Sequence, residues 1–321
     1  GKTLFEGALN ALPKNTWTKD EISSIYNTPL MELTHAAATL RRKNHPHNTV
    51  QTCTLLSIKT GGCTEDCSYC AQSSRYSTGL TAMKLSTLET VMAAAREAKA
   101  NGTWRDMSGR TRGLERIKDM VREVRGLGME VCVTLGILDS KAAEELKGAG
   151  LTAYNQNLDT SREFYPKVIT TWGSDERLQT IENVRNAGIS VCTGGILGLG
   201  ETAEDHVSFL HTLSTLPEHP NSVPINALVF LRVVATARIL MPGSIVRLAV
   251  GRINLTEEQQ VLAFFAGANA VFTGERMLTT ECSRFEANRR LFEKWGLANE
   301  GAEVVAEVSR SGKVEEVIER V

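Results

Sequence analysis

Beyond a polar N-terminal stretch, short apolar or β-branched runs alternate along this chain with longer amphipathic segments. Short runs bounded by turn residues read as buried strands, and the longer segments between them as helices. The pattern predicts strands over 53–59, 130–135, 153–158, 189–193, 224–230, 245–249 and 270–273. Helices are expected over 87–100, 113–127, 141–149, 175–187, 202–216, 231–241 and 257–267, with a closing helix over 285–295. Several end on a glycine, as at Ala149-Gly150 and Ala187-Gly188, which suits a helix turning back into a buried strand. Upstream, Thr18 or Asp20 is placed to cap a helix running to Tyr26, and a second follows Pro29 through Leu40 to Arg42. Strand and helix in alternation is the pattern of an α/β parallel sheet. The organisation expected is a helical lead-in over 1–45, one barrel domain over 46–297 and a charged tail over 298–321.

Seven strands, however, is one short of a closed (β/α)8 barrel of the TIM type. The interruption lies at 101–112, reading NGTWRDMSGRTR, where two helices follow one another with no apolar run between them. A second irregularity is that 224–230 passes straight into 231–241, although a βα junction normally takes a few residues. The periodicity therefore reads as a barrel that lacks its second strand.

With 321 residues and 35.1 kDa the chain suffices for one large α/β barrel or two average domains. Its 42% hydrophobic and 23% charged content is that of a soluble globular protein. A net charge of −1 gives no electrostatic reason to expect nucleic acid or an anionic membrane as partner. No apolar run is long enough to span a bilayer. Seven cysteines, three of them within eight residues, argue for reduced thiols serving metals in an intracellular compartment rather than for a disulfide framework.

Those three are Cys63, Cys67 and Cys70, spaced C-x3-C-x2-C. Three thiolates hold three irons of a [4Fe–4S] cluster and leave the fourth open to a small molecule, which is chemistry rather than electron storage alone. Zinc normally closes a shell of four ligands in C-x2-4-C pairs, and no nearby histidine or fourth cysteine completes one here. Cys53 and Cys282 match no cluster spacing and read as ordinary small side chains. Asn155, Asn157 and Asp159 alternate at a strand end, so all three are expected to face the barrel mouth, with Asx-turn chemistry as the alternative. Asn226 puts an amide inside an apolar strand, where it needs a partner. The run Gly194–Gly200 (GGILGLG) lacks the GK[ST] ending of a phosphate loop and reads instead as a place where backbone approaches a ligand closely.

The run SIKTGGCTEDCSYCAQSSRY, Ser57–Tyr76, resembles the biotin synthases within the radical S-adenosylmethionine (SAM) enzymes, whose motif carries an aromatic residue before the third cysteine, here Tyr69. The resemblance continues through VCVTLG from Val131, AYNQNLDTSREFY from Ala153, VCTGGILGLGE from Val191, SVPINAL from Ser222, IVRLAVGR from Ile245 and FTGERMLTT from Phe272. It covers roughly residues 20–297, and WRDM with TGGILGLGE is similar to the eukaryotic, mitochondrial branch. It implies a radical SAM barrel that closes biotin's thiophane ring by inserting sulfur into dethiobiotin. A [4Fe–4S] cluster on Cys63, Cys67 and Cys70 would cleave SAM, and a [2Fe–2S] centre on Cys132, Cys192 and Arg247 would give up the sulfide. Asn157 and Asp159 would hold the SAM ribose, while Asn157 and Asn226 would touch dethiobiotin. The clusters would be the only catalytic groups. A ferredoxin- or flavodoxin-type electron donor, a homodimer and the mitochondrial matrix are also implied.

The chain departs from the family in four places. The remaining [2Fe–2S] cysteine lies in the family on a strand reading roughly STRFCMGAA just before WRDM, and that strand also contacts the amino acid part of SAM. Here Thr103 runs directly into Trp104. A K-G-T-P-like loop is missing after Val229, Gln156 stands where the family usually has histidine, and Trp172 where it usually has arginine. Two alternatives follow from the lost ligand: a homologue that cleaves SAM without inserting sulfur, or a non-catalytic iron–sulfur protein.

Overall fold

The structure, a computed structural model, describes residues 13–46, 48–108, 113–226, 231–249 and 251–300. Its strands are β1 (Thr49–Ser57), β2 (Trp104–Ser108), β3 (Val131–Thr134), β4 (Ala153–Asn155), β5 (Ser190–Cys192), β6 (Gly195–Ile196), β7 (Ser222–Asn226), β8 (Ile245–Leu248), β9 (Ala270–Thr273), β10 (Arg276–Met277), β11 (Thr280–Glu281) and β12 (Ala298–Asn299). The parallel order β1-β2-β3-β4-β5-β7-β8-β9 returns on itself through pairing of β1 with β9. Helices predicted between the strands are found within a few residues of their expected ends, for example Leu88–Ala100, Leu114–Gly126 and Ser174–Asn186.

The ring is complete, which corrects the expectation of a missing second strand. Trp104–Ser108, a segment without β-like apolar alternation, takes the second position. It pairs with β1 from Cys53↔Trp104 to Ser57↔Ser108 and with β3 from Arg105↔Val131 to Ser108↔Thr134. The physical reason is the neighbours' demand. With this place empty, β1 and β3 would bury two unpaired rows of backbone N–H and C=O groups. Strand propensity yields to such context readily. The entry into β2 is pinned by Thr103, whose hydroxyl bonds the Ala98 carbonyl at 3.0 Å and lies 2.8 Å from the Thr54 hydroxyl. Met107 is fully buried among the residues between ring and helices.

Alternation sorts the ring into two faces. Val50, Val131, Val133, Val191, Val223, Val246, Leu248 and Val271 face the helices in the main core. Between them, Cys53 and Leu55 of β1 join Phe272 and Ala249 in a separate small cluster inside the ring. Outside, Lys19–Tyr26 starts on a capping box in which the Glu21 amide donates to the Thr18 hydroxyl at 3.2 Å and Thr18 N donates back to Glu21 Oε2 at 2.9 Å. That helix packs on Ala203–Ser214, and Leu30–Asn44 packs on Leu231–Leu240, so the lead-in is a buttress on the barrel wall. Of the expected charged tail over 298–321, Ala298–Asn299 form β12, paired with β1 at Thr49 and Val50, and residues 301–321 lie outside the described residues.

Candidate functional site

The C-x3-C-x2-C loop leaves the C-terminal end of β1, the end at which this architecture binds ligands. It is folded on itself: Cys63 N donates to the Gln72 carbonyl at 2.8 Å, Ser74 N to the Cys63 carbonyl at 2.7 Å, and Cys70 N to the Cys67 carbonyl at 3.0 Å. The Asp66 carboxylate fastens this loop to the one after β4, accepting from the amides of Thr170 at 2.9 Å and Thr171 at 3.1 Å. Cys67 is buried beside Phe164, Tyr165, Val168 and Ile169, and Cys70 packs against the same cluster. Burial, followed by the Asp159 and Glu65 carboxylates, pushes the Cys67 thiol far above the ordinary thiol range, and burial likewise raises Cys70. A thiol in such a wall ionises only against a strong local positive charge, which iron would provide. By number and type, the three thiols are the donors that a [4Fe–4S] cluster with one open iron requires.

Beneath the loop lies an ion cluster that sequence reading did not anticipate. Arg177, from the helix Ser174–Asn186, pairs with Asp159 at 3.1 Å and Glu65 at 3.0 Å, its side chain only 8% exposed. It also donates to the Asn157 carbonyl at 2.8 Å and to the Tyr165 hydroxyl at 2.5 Å. Burial pulls this guanidinium toward neutrality, but Asp159, then Tyr165, Tyr69 and Glu65, hold its pKa well above the usual arginine value. Asp159 itself is raised by burial, against the pull of Arg177 and of the hydrogen bond from Tyr69. Asn155 and Asn157 share the half-buried face expected of alternating residues, and Asn155 Nδ2 donates to the Thr134 hydroxyl at 3.1 Å. Asp159 stands at the same end but is covered beneath the cysteine loop. Its φ of +67° breaks the alternation and turns its carboxylate inward, to 2% exposure.

Deeper in the ring, Cys132 (β3), Cys192 (β5) and Arg247 (β8) occupy lumen-facing positions between residues of the outer core. Arg247 Nη2 donates to the Gln51 amide oxygen at 2.6 Å, and its guanidinium lies 5.1 Å from the Phe272 ring centre. Among the described residues no three His, Cys, Asp or Glu side chains converge into a ready single-ion site. A multi-iron cluster is wider than one ion and suits donors spaced around a lumen. Asn226 ends β7, and its side chain lies outside the described residues.

The radical SAM superfamily profile matches residues 57–213, and that of the Biotin and Thiamin Synthesis associated domain matches 209–298. The chain is 57% identical to a mitochondrial biotin synthase of Emericella nidulans, over 91% of this chain and 81% of the relative. A biotin synthase of Schizosaccharomyces pombe is 53% identical over 89% of this chain and 86% of its own length. The chain belongs to the biotin synthase family. Among solved structures, a methylornithine synthase superposes with a TM-score of 0.77 at 20% identity, covering 95% of this chain and 99% of its own. An [FeFe]-hydrogenase maturase gives 0.78 at 18% identity, covering 92% of this chain and 74% of its own. Both confirm the barrel.

Within this biotin synthase frame the glycine run has an internal reason. A Cβ on Gly194 would sit 1.9 Å from the Pro224 carbonyl oxygen, and one on Gly195 would sit 2.5 Å from the Phe209 ring and 2.6 Å from the Asp159 carbonyl. These two glycines let β6 press on β7 and on the Asp159 turn, whereas a Cβ on Gly198 would meet nothing within 4 Å. Gly194→Ala is therefore expected to abolish cooperative thermal unfolding of the soluble protein by circular dichroism; an unchanged melting curve would refute this packing account. Gln156 is buried, whereas Trp172 is 44% exposed at the surface. Arg177 was hidden in the sequence by its charged neighbours Asp175 and Glu176, which mark a solvated helix start. Only the position of Glu65 inside the cysteine motif was a usable signal.

Proposed function

We propose that this chain catalyses the SAM-dependent insertion of sulfur into dethiobiotin to give biotin. The observation that carries the reading is the arrangement of two donor sets along one ring. A three-cysteine loop lies at the mouth, and Cys132, Cys192 and Arg247 lie in the lumen below it. Cys63, Cys67 and Cys70 would hold a [4Fe–4S] cluster, and the lumen set a [2Fe–2S] centre. When bound, the first supplies the electron that splits SAM and the second the sulfur.

The chain's own residues bind, orient and exclude water. Asn157 presents its side chain from the strand end, with its amide oxygen accepting from Gly194 N at 3.2 Å, and its NH2 group would donate to a ribose hydroxyl. Asp159 contributes to the ribose contact as the anchor of that turn, held by Arg177. The Phe164–Val168 wall keeps water from the buried Cys67. Asn226 would hold dethiobiotin from β7. The mitochondrial name of the Emericella nidulans relative supports a mitochondrial location; the matrix, a ferredoxin- or flavodoxin-type electron source and a homodimer are proposed with it from the family resemblance.

The test is anaerobic turnover with SAM, dethiobiotin and a reduced flavodoxin. Biotin and 5′-deoxyadenosine are the expected products. Release of 5′-deoxyadenosine without biotin would replace this reading with that of a SAM-cleaving homologue, and absence of both would leave an iron–sulfur protein without this activity.

A further inference from the structure

The strand registers place four donor side chains at one height in the lumen. Cys132 is in register, through Asp106, with Leu55, the residue two beyond Cys53. Cys132 pairs with Ala153 and Ala153 with Ser190; Cys192 is two beyond that. Cys192 pairs with Ser222 and Ser222 with Ile245; Arg247 is two beyond. Arg247 pairs with Ala270 and Ala270 with Gln51; Cys53 is two beyond, and the circuit closes on its starting residue. Strands in a (β/α)8 barrel are tilted so that a level circuit advances one residue per strand, a shear of 8 in all. Each advance of two residues over two strands therefore keeps the same height. Cys53, Cys132, Cys192 and Arg247 form one four-membered layer, contributed by alternate strands as barrel layers are.

Such layers are normally filled by valine, isoleucine and leucine. This one holds three thiols and a guanidinium, with Cys53, Cys192 and Arg247 exposed by only 3%, 8% and 8%. Contact agrees with the register: Cys53 packs in the cluster that contains Phe272, and the Arg247 guanidinium lies 5.1 Å from that ring. The next lumen positions toward the mouth include Leu55 and Ala249, which cover the layer with apolar surface.

We infer that Cys53 is the third thiolate of the lumen iron–sulfur site, standing in for the cysteine that the chain lacks before Trp104. The replacement donor comes from β1, one strand over from the lost one, so the residues that fill β2 need contribute no ligand. The packing expected of Cys53 from the sequence is seen in the Phe272 cluster, and the inference adds the role of ligand to it. The inference rests on the proposed two-cluster function, and it deepens that function's second site.

The experiment is anaerobic reconstitution of the full chain with iron and sulfide, followed by iron counting, visible absorption and Mössbauer spectroscopy. Wild type is expected to hold about six irons per chain, four in one cluster and two in the other. Cys53→Ala should hold about four, keeping the [4Fe–4S] quadrupole doublet and losing the [2Fe–2S] one. Cys282→Ala, which removes the cysteine packed at the edge of the Phe272 cluster, should keep both. A Cys53→Ala protein with an unchanged [2Fe–2S] signal would overturn the inference, as would wild type that binds only four irons. Failure of the broader reading looks different: wild type that loads both clusters, and loses only the [2Fe–2S] one on Cys53→Ala, yet forms no biotin from dethiobiotin and SAM would refute the proposed activity and leave the Cys53 assignment standing. The melting temperature of apo Cys53→Ala, expected to match wild type, separates ligand loss from misfolding. A collapsed melt moves the test to Cys53→Ser, for which retention of the unaltered [2Fe–2S] spectrum again refutes the assignment.

Discussion

Arg177→Met is expected to lower the free energy of unfolding by about 3–5 kcal/mol, the usual result of breaking a buried ion pair from one side. The substitution keeps most of the side-chain volume and removes the charge together with its N–H donors. It leaves Asp159, 2% exposed, and Glu65, 17% exposed, as carboxylates with no cation between them. It also deprives the Asn157 carbonyl and the Tyr165 hydroxyl of their donors. Denaturant titration measures the loss, and the double variant Arg177→Met/Asp159→Asn should recover much of it by removing the stranded charge. Equal losses in single and double variants would mean that the cost is lost packing rather than charge. The pH dependence has a definite sign. Asp159 already has a folded-state pKa above its ordinary value because of burial, and Arg177 is what restrains that rise. Without Arg177 the folded state holds the proton still more tightly than the unfolded state does, so stability falls as pH rises through the interval between the two pKa values. The single variant should therefore regain stability on acidification into that interval, whereas wild type, with the smaller rise, regains less.

Most of the barrel is legible in the sequence because most of it follows local rules. The helices start on caps such as Thr18, Thr87 and Thr202 and carry one apolar face, and the strands β3, β5, β8 and β9 are short β-branched runs. What escapes is decided by partners rather than by the segment itself. Trp104–Ser108 has no pattern of a strand; it is one because β1 and β3 each need a neighbour. The ligand loop announces itself through spacing, since its three cysteines are close in the chain. The lumen layer does not. Cys53, Cys132, Cys192 and Arg247 are far apart in sequence, and only the shear of the closed ring brings them to one height. Resemblance singles out three of the four, but Cys53 becomes visible only when the registers are followed around the barrel. The same holds for Asp159, whose alternation with Asn155 and Asn157 predicts a place at the mouth until its left-handed φ turns it inward to Arg177.

Cys67→Ala is expected to remove the [4Fe–4S] absorption of the reconstituted protein and reduce SAM cleavage to background. Its neighbours in the motif are held by backbone bonds to Gln72, Ser74 and Ser73, so the loop keeps its shape without the sulfur. Deleting one sulfur against Phe164, Tyr165 and Val168 leaves a small cavity, costing about 1 kcal/mol, far too little to unfold the chain. The loss must then be one of coordination. Two thiolates remain, and two cannot hold three irons of a cubane while leaving the fourth open to SAM. The lumen site gives an internal control, because its donors lie on β1, β3, β5 and β8, outside this loop. Cys67→Ala should retain about two irons with [2Fe–2S] spectroscopy while SAM cleavage vanishes, the reverse of what Cys53→Ala should show. Full SAM cleavage by Cys67→Ala would sink the assignment of the loop. Loss of both clusters in a protein with a wild-type melting curve would mean instead that the lumen site fills only after the mouth cluster is in place.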